Sequence, residues 1–213
     1  MKKIGGKRLR VYILFGFVSL LVLSSLLYFF LWKDKGVEEE LFIPNNVVTD
    51  SVEEPSETKP KEYNVAPDLP KSIKIPKIKK EGYIQLVGID KEGRIAVPTN
   101  VYLAGWYINS VKPGEKGLSI IDGHRDGSTI GGIFRDLEKL KKGDTLTIEY
   151  GDSSIKEFEV VDLKILSVND AYDFMYSKIE GIDIQLNLVT CGGTFNRDAR
   201  TYDKRVIVRA KGI

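Results

Sequence analysis

The sequence predicts an all-β domain over its C-terminal two thirds, folded as a single closed or nearly closed barrel of about eight strands. Short runs rich in β-branched and aromatic residues recur from about residue 75 onward, and each run is bounded by Gly, Pro, Asn or Asp turn residues. The region is roughly 140 residues long, a normal size for one domain. Closure into a barrel hides the exposed edges that so many short strands would otherwise present.

The individual strands follow from this pattern. We predict strands over residues 82–89, 94–99, 117–123, 145–150, 155–166, 184–190 and 205–210. One or two short helices are expected between them, near "IGGIFRDLEKL" (130–140) and "NDAYDFMYSKI" (169–179).

An apolar run without a charged residue occupies residues 11–32. As a helix with a rise of about 1.5 Å per residue it spans roughly 33 Å, enough to cross the hydrocarbon core of a bilayer. Five basic residues precede the run, so residues 1–10 are expected to be a cytoplasmic tail and the rest of the chain extracellular. The interpretation is a single-pass membrane protein with a transmembrane signal anchor at 11–32; a cleaved signal peptide is the alternative.

Residues 33–75 differ in composition from the predicted barrel. Six of the eight prolines lie at positions 44–76, among charged and small residues without apolar periodicity. We expect a disordered, extended extracellular linker, with irregular but docked chain as the alternative for residues 62–76, and a folded domain over residues 76–213. All 30 acidic residues follow residue 32, against 27 of the 32 basic ones, which argues against a nucleic-acid-binding surface.

Cys191 and His124 are the only residues of their types, and each directly follows an apolar strand-like run. A single cysteine cannot form an intramolecular disulfide, so in an oxidising compartment it is either buried and inert or kept for its reactivity. A thiolate is a nucleophile, and a neighbouring imidazole favours it and can later protonate an amine leaving group. One histidine and one cysteine are too few soft ligands for a zinc site, and no metal or cofactor is expected.

Three arginines, Arg197, Arg200 and Arg205, follow the cysteine within 14 residues. Acyl transfer from an amide needs a donor that stabilises the oxyanion, and a fixed guanidinium can serve. Residue types alone leave the ordinary alternatives open, because single cysteines are often buried apolar residues and arginines beside strands are often solvated.

Two motifs carry a family resemblance. "PGEKGLSIIDGHRD" (113–126) and "LVTCGGTFNRDARTYDKRVIVRA" (188–210) resemble the two signatures of the sortases, the membrane-anchored cysteine transpeptidases of Gram-positive cell surfaces. The details are more similar to class F or E than to the housekeeping class A. The resemblance implies an eight-stranded β-barrel that cleaves an LPxTG-like sorting signal between Thr and Gly through a cysteine thioester. An amine acceptor, such as a peptidoglycan precursor or a pilin lysine, would then receive the surface protein.

Carried over by position, the resemblance implies His124, Cys191 and Arg200 as catalytic residues, with Thr190 and Gly192 at the substrate. Arg205 is the alternative to Arg200, because it stands immediately before the last strand, where class A and C sortases place their arginine. Two further departures, Asn196 and Arg125, leave the subclass open.

Three rival functions stay open on the sequence. A cell-wall L,D-transpeptidase motif has arginine two residues after the cysteine, where this chain has Gly193. A hydrolytic cysteine endopeptidase on the same scaffold would resolve the thioester with water. A non-catalytic, anchored β-barrel binding module would keep the thiol inert.

Overall fold

The computed structural model describes residues 23–25, 27, 47–51 and 54–213. Residues 23–25 and 27 are helical, but the predicted membrane span at 11–32 otherwise lies outside the described residues. Within the described part of the chain, no helix is long and apolar enough to cross a membrane. Residues 41–213 make up one compact unit, and the description below concerns that unit.

Eight strands close into a barrel, which confirms the predicted fold class. They are β1 (Pro70–Ile75), β2 (Lys80–Val87), β3 (Ala104–Tyr107), β4 (Gly117–Gly123), β5 (Thr145–Tyr150), β6 (Ile155–Ser167), β7 (Ile184–Asn196) and β8 (Thr201–Gly212). The order around the barrel is β1-β2-β3-β4-β7-β8-β6-β5, and β5 closes onto β1. The pairs β2–β3 and β4–β7 are parallel, and the other pairs are antiparallel.

Each parallel pair needs a long connection, because the chain must return to the same end of the barrel. Residues 88–103 make this connection between β2 and β3. Between β4 and β7 the chain passes through β5, β6 and one α-helix, α1 (Val168–Tyr176). The hydroxyl of Ser167 caps α1 by accepting the Asp170 N–H. The helix predicted near 130–140 is a single 3-10 turn, Leu137–Lys139.

The predicted strands are correct in six places and wrong in one. Residues 94–99 are irregular: Ile95 makes one isolated bridge to Ile89, and Pro98 has no N–H to extend a ladder. Two strands were missed, β1 because it begins with proline inside the predicted linker, and β3 because its four residues "AGWY" are too short to show a period.

The predicted linker, residues 33–75, is therefore too long at its C-terminal end. Besides β1, residues 47–51 and 54–60 lie against the barrel, and we call these two stretches the strap. Val48 pairs in parallel with Val87, and Ser56 exchanges backbone hydrogen bonds with Thr99 and Val101 at 2.9 and 3.0 Å. Backbone pairing with the 88–103 connection holds these residues in spite of their polar composition.

The barrel interior and the outer face of three strands form separate apolar clusters. Ile121, Leu188 and Val206 point inward and are fully buried among the main core side chains. Their neighbours in sequence point outward by the two-residue period of a strand. Ile120 of β4, Val189 of β7 and Ile207 of β8 form a second cluster with Ala171 of α1. The outer face of β4, β7 and β8 is thus a floor with α1 along one side.

Candidate active site

A cavity of about 360 Å³ lies over this floor. Val189, Ile207 and Asp122 line it from the strands, and α1 contributes Ala171 and Met175 on one side. The opposite side is formed by the 88–103 connection and the strap, through Ile95, Val97 and Ser51. The cavity is mostly apolar, as a binding cleft for a peptide or small molecule usually is.

Cys191 lines this cavity from β7. The strand does not end there as the sequence suggested, because β7 continues to Asn196 as a hairpin with β8. Gly193 has φ 78°, and the β7–β8 register shifts between Gly192 and Phe195, so the hairpin bends just beyond the thiol. Burial raises the pKa of the Cys191 thiol, while the positive charge of Arg205 acts in the opposite direction.

His124 follows β4 directly, as predicted. The β4–β7 register pairs Asp122 with Val189, so His124, two residues further, stands at the level of Cys191 on the neighbouring strand. Its Nε2 lies 2.6 Å from the carbonyl oxygen of Pro98. Because a carbonyl only accepts, Nε2 carries the proton and Nδ1 is the basic nitrogen. The imidazole itself does not line the 360 Å³ cavity.

Burial lowers the pKa of His124, although the hydrogen bond to the Pro98 carbonyl favours the charged imidazolium. Burial also raises the pKa of Cys191. Both residues are therefore neutral near pH 7 in the state that the structure describes. The state with a thiolate and an imidazolium is then a minor one, and its population depends on the surrounding charges.

The structure separates the two candidate arginines. Arg205 is the direct cross-strand partner of Cys191 and lines the same cavity. Its Nη1 donates to the carbonyls of Tyr202 and Lys204 at 3.1 and 2.8 Å, which fixes the guanidinium. Arg200 lies in the turn between β7 and β8, with φ 48°, and its largely exposed side chain is 3.6 Å from Glu54. The expected placement of Arg200 beside the thiol is therefore not what the structure shows.

Of the two predicted substrate-binding residues, Thr190 lines the cavity and Gly192 does not. Thr190 contributes to the cavity lining, but its hydroxyl donates to the Gly123 carbonyl at 2.7 Å and thereby ties β7 to β4 beside His124. Gly192 does not line the cavity. A Cβ on Gly192 would lie 2.7 Å from a Val206 methyl, so packing between β7 and β8 explains this glycine better than substrate access does.

The residues directly after His124 form a charged network near the Cys191 thiol. Arg125 donates both Nη groups to Glu138 at 3.0 and 3.2 Å and lies over the Tyr202 ring. Tyr202 donates to Asp126 at 2.7 Å, which joins the β7–β8 hairpin to the loop after β4. Burial, followed by this hydrogen bond, raises the pKa of Tyr202 to about 12. Two members of the network act on the thiol in opposite directions: Arg125 lowers the pKa of Cys191 and Asp126 raises it.

Asp122 is the polar group in the cavity floor that sequence analysis missed. The residue is 8% exposed, and no described residue gives its Oδ1 a hydrogen bond. Gly105, its cross-strand partner on β3, makes room for it: a Cβ there would lie 2.5 Å from Oδ1. Burial raises the pKa of Asp122 well above its usual range, which favours the neutral carboxyl.

The strap contacts both loops that flank His124. Asn100 donates to the Thr58 carbonyl at 2.8 Å, beside the stretch that carries Pro98. The Glu57 carboxylate accepts from the Thr129 amide at 2.8 Å and from the Thr129 hydroxyl, in the loop after His124. The only sequence indication of these contacts was the expectation that residues 62–76 could be docked, and the strap begins earlier.

Within the described residues, no group of three or more His, Cys, Asp or Glu side chains is arranged to hold a metal ion. The reactive groups that strand register brings to one level are the Cys191 thiol, the His124 imidazole and the Arg205 guanidinium.

Comparison with known proteins identifies the domain and its fold. A profile of the sortase domain matches residues 73–213. The fold is similar to that of a lid mutant of sortase A from Corynebacterium diphtheriae, with 22% identity, a TM-score of 0.53 and coverage of 70% of this chain and 72% of that one. It is also similar to sortase C1 from Streptococcus agalactiae, with 25% identity, a TM-score of 0.51 and coverage of 67% and 66%. No curated protein matched the sequence.

Proposed function

This chain belongs to the sortase family of cysteine transpeptidases, and on that premise we propose that it transfers the acyl part of an LPxTG-like sorting signal to an amine. The observation that carries the proposal is a single row of residues: His124, directly after β4, stands at the level of Cys191 on β7, and Cys191 is paired with Arg205 on β8. Cys191 and Arg205 line a peptide-sized cavity.

In the first half-reaction, the Cys191 thiolate adds to the carbonyl carbon of the sorting-signal Thr. The negative charge that forms on the carbonyl oxygen is stabilised by Arg205, whose Nη1 is anchored on backbone carbonyls while Nε and Nη2 remain as donors. The tetrahedral intermediate collapses, the Thr–Gly bond breaks, and the imidazolium of His124 protonates the leaving amine. The products are a thioester on Cys191 and a neutral His124.

In the second half-reaction, an amine adds to the thioester carbonyl and loses a proton to His124. Collapse expels the Cys191 thiolate and leaves a new amide bond, so thiolate and imidazolium are regenerated together. The acceptor class is a primary amine, such as that of a peptidoglycan precursor or a pilin lysine. The product is a surface protein joined covalently to the cell wall or to another protein.

We also propose that the chain is anchored in the cell membrane by residues 11–32, with the barrel outside the cell. The support is the uncharged run and the five basic residues that precede it. Protease treatment of intact cells tests this topology, because an extracellular barrel is degraded while the N-terminal tail is protected.

Intact mass spectrometry of residues 41–213 with an LPETG-containing peptide tests the reaction, with Cys191→Ala as the control. We expect an adduct on wild type that triglycine converts into ligated peptide, and no adduct on the variant. An adduct that is lost only to water would indicate a hydrolase. No adduct across an LPxTG-type library, together with a thiol that resists alkylation, would contradict the proposal and favour a binding module.

A further inference from the structure

The floor of the cavity holds one polar group that the reaction above does not use. Along the outer face of β4 the residues Ile120, Asp122 and His124 follow one another, and β7 places Val189 and Cys191 beside them. Asp122 therefore lies two residues along the strand from the level of His124 and Cys191, a distance of about 7 Å by strand geometry. Both Asp122 and Cys191 line the cavity.

One oxygen of the Asp122 carboxyl has no partner among the described residues. That oxygen is Oδ1, the residue is more than nine-tenths buried, and the hydrogen bond that acts on the carboxyl comes from its own backbone. This contrasts with Asp90, the other buried carboxylate of the cavity, which accepts from the Glu92 and Arg94 amides and from the Arg94 guanidinium. A buried polar group without a partner costs stability, so its presence calls for an explanation.

The surroundings exclude several explanations. The nearest β3 residue, Gly105, has no side chain, and the residues beside it are the apolar Val87 and Pro98. The Arg205 Nη1 donates to backbone carbonyls and the Arg125 guanidinium donates to Glu138, and neither arginine reaches the Asp122 Oδ1. His124 turns its Nε2 toward Pro98. Asp122 is thus a cavity-lining carboxyl whose Oδ1 takes no hydrogen bond from the described residues, including the catalytic ones.

We propose that Asp122 is a specificity-determining residue that hydrogen-bonds an uncharged polar group of the acyl-donor peptide. That group is a backbone amide or a side-chain hydroxyl, within about two residues of the scissile bond on its N-terminal side. The distance follows from an extended peptide, which advances about 3.3 Å per residue along a strand-like cleft. The inference rests on the proposed function, because it assumes that the acyl donor occupies this cavity.

The chemistry of the Asp122 carboxyl determines which peptide groups it can bind. A neutral carboxylic acid offers one O–H donor and further acceptor capacity, which complements an amide or a hydroxyl. The remaining floor is apolar, through Val189, Ile207 and Met175. A peptide without a polar group at this point would leave Asp122 unpaired in the complex, and a site built around a hydrogen bond discriminates strongly against such a substrate.

The test compares three full-length proteins: wild type, Asp122→Asn and Asp122→Leu. Asn keeps a donor and an acceptor in the same shape, whereas Leu keeps the shape without either. The measured quantity is kcat/KM for acylation by an LPETG peptide, or by the fastest member of an LPxTG library. Alkylation of Cys191 by iodoacetamide over a range of pH is measured alongside, because this small reagent reports the thiol without using the peptide cleft.

We expect Asp122→Leu to reduce kcat/KM by about tenfold or more and Asp122→Asn by less than threefold, with the alkylation profile unchanged in both. N-methylation of single peptide bonds and Ser-to-Ala or Thr-to-Ala changes in the peptide then identify the group. With the correct group removed, wild type and Asp122→Leu become equal.

Several results would overturn the inference. Equal kcat/KM for acylation in wild type and Asp122→Leu would show that Asp122 does not bind the peptide. A tenfold loss in Asp122→Asn shows that a negative charge is needed. A shifted alkylation profile in either variant shows that Asp122 acts on the thiol. If Asp122→Leu does not fold, the Asn variant alone still decides between the neutral and the charged carboxyl. A wild-type thiol that alkylates but is acylated by no peptide defeats the proposed function itself, and the inference with it.

Discussion

Cys191 and Arg205 are direct cross-strand partners on β7 and β8, and both line one cavity. Residues opposite each other on antiparallel strands have Cα atoms about 4.5–5.5 Å apart, so backbone pairing sets the two side chains at neighbouring positions. The positive charge of Arg205 lowers the pKa of the Cys191 thiol against the effect of burial. Arg200 is attached to the turn of the same hairpin and pairs with Glu54. Two arginines five positions apart thus occupy different environments.

The first prediction follows from this pair. We expect Arg205→Ala to reduce kcat by about 10² or more, since removal of one oxyanion donor has effects of that size. Arg200→Ala is the matched control and should lose less than about threefold. Both are measured as steady-state transpeptidation of an LPETG peptide to triglycine. The reverse order of the two losses would assign the oxyanion role to Arg200.

The second prediction concerns the thiol. Burial raises the pKa of Cys191, so the thiolate fraction is small at neutral pH and increases as the pH approaches and passes 9. We expect the rate of iodoacetamide alkylation to keep rising above pH 8. Denatured protein serves as the reference for an unperturbed thiol. A rate that is already constant below pH 8 would instead indicate a stable thiolate–imidazolium pair.

The third prediction concerns Asp122 and stability. Its pKa is raised in the folded protein by burial, so the folded state keeps a proton that the unfolded state releases above its ordinary pKa near 3.8. The free energy of unfolding therefore falls as the pH rises above that value. Asp122→Asn cannot ionise, so we expect its Tm to exceed that of wild type more at pH 8 than at pH 4. A difference in Tm that does not change with pH would mean that Asp122 does not hold its proton in the folded state.

The fourth prediction concerns the strap, residues 47–51 and 54–60. It binds the 88–103 connection at Thr99 and Val101 and the loop after His124 at Thr129, and the first of these carries the carbonyl that holds His124. We expect residues 62–213 to have a lower Tm and lower kcat than residues 41–213, because the His124 imidazole loses its fixed orientation.

A milder change supports the same test. Glu57→Gln keeps the acceptor for the Thr129 amide but loses the charge, and we expect it to lie between the two fragments in Tm. Equal Tm and kcat in the two fragments would show that the strap has no part in positioning His124.

Much of the barrel could be predicted from the sequence, because alternating apolar residues and turn residues are local signals. The runs before His124 and Cys191 show them clearly, and both residues stand beside the cleft. Strand β3 could not be found in this way, since four residues carry no period. The strap was missed because its partners, such as Thr99, Asn100 and Thr129, lie in two distant loops, which composition does not reveal.

The sequence by itself determined which reactive groups the protein owns: one thiol, one imidazole and a few guanidiniums, in motifs that resemble those of sortases. Only the tertiary structure decided which of them meet. Strand register brought Arg205 rather than Arg200 to Cys191, and Gly105 left space for a carboxyl without a partner at Asp122. The physical reason is that register and burial depend on contacts between residues far apart in the chain, whereas a motif records only neighbours.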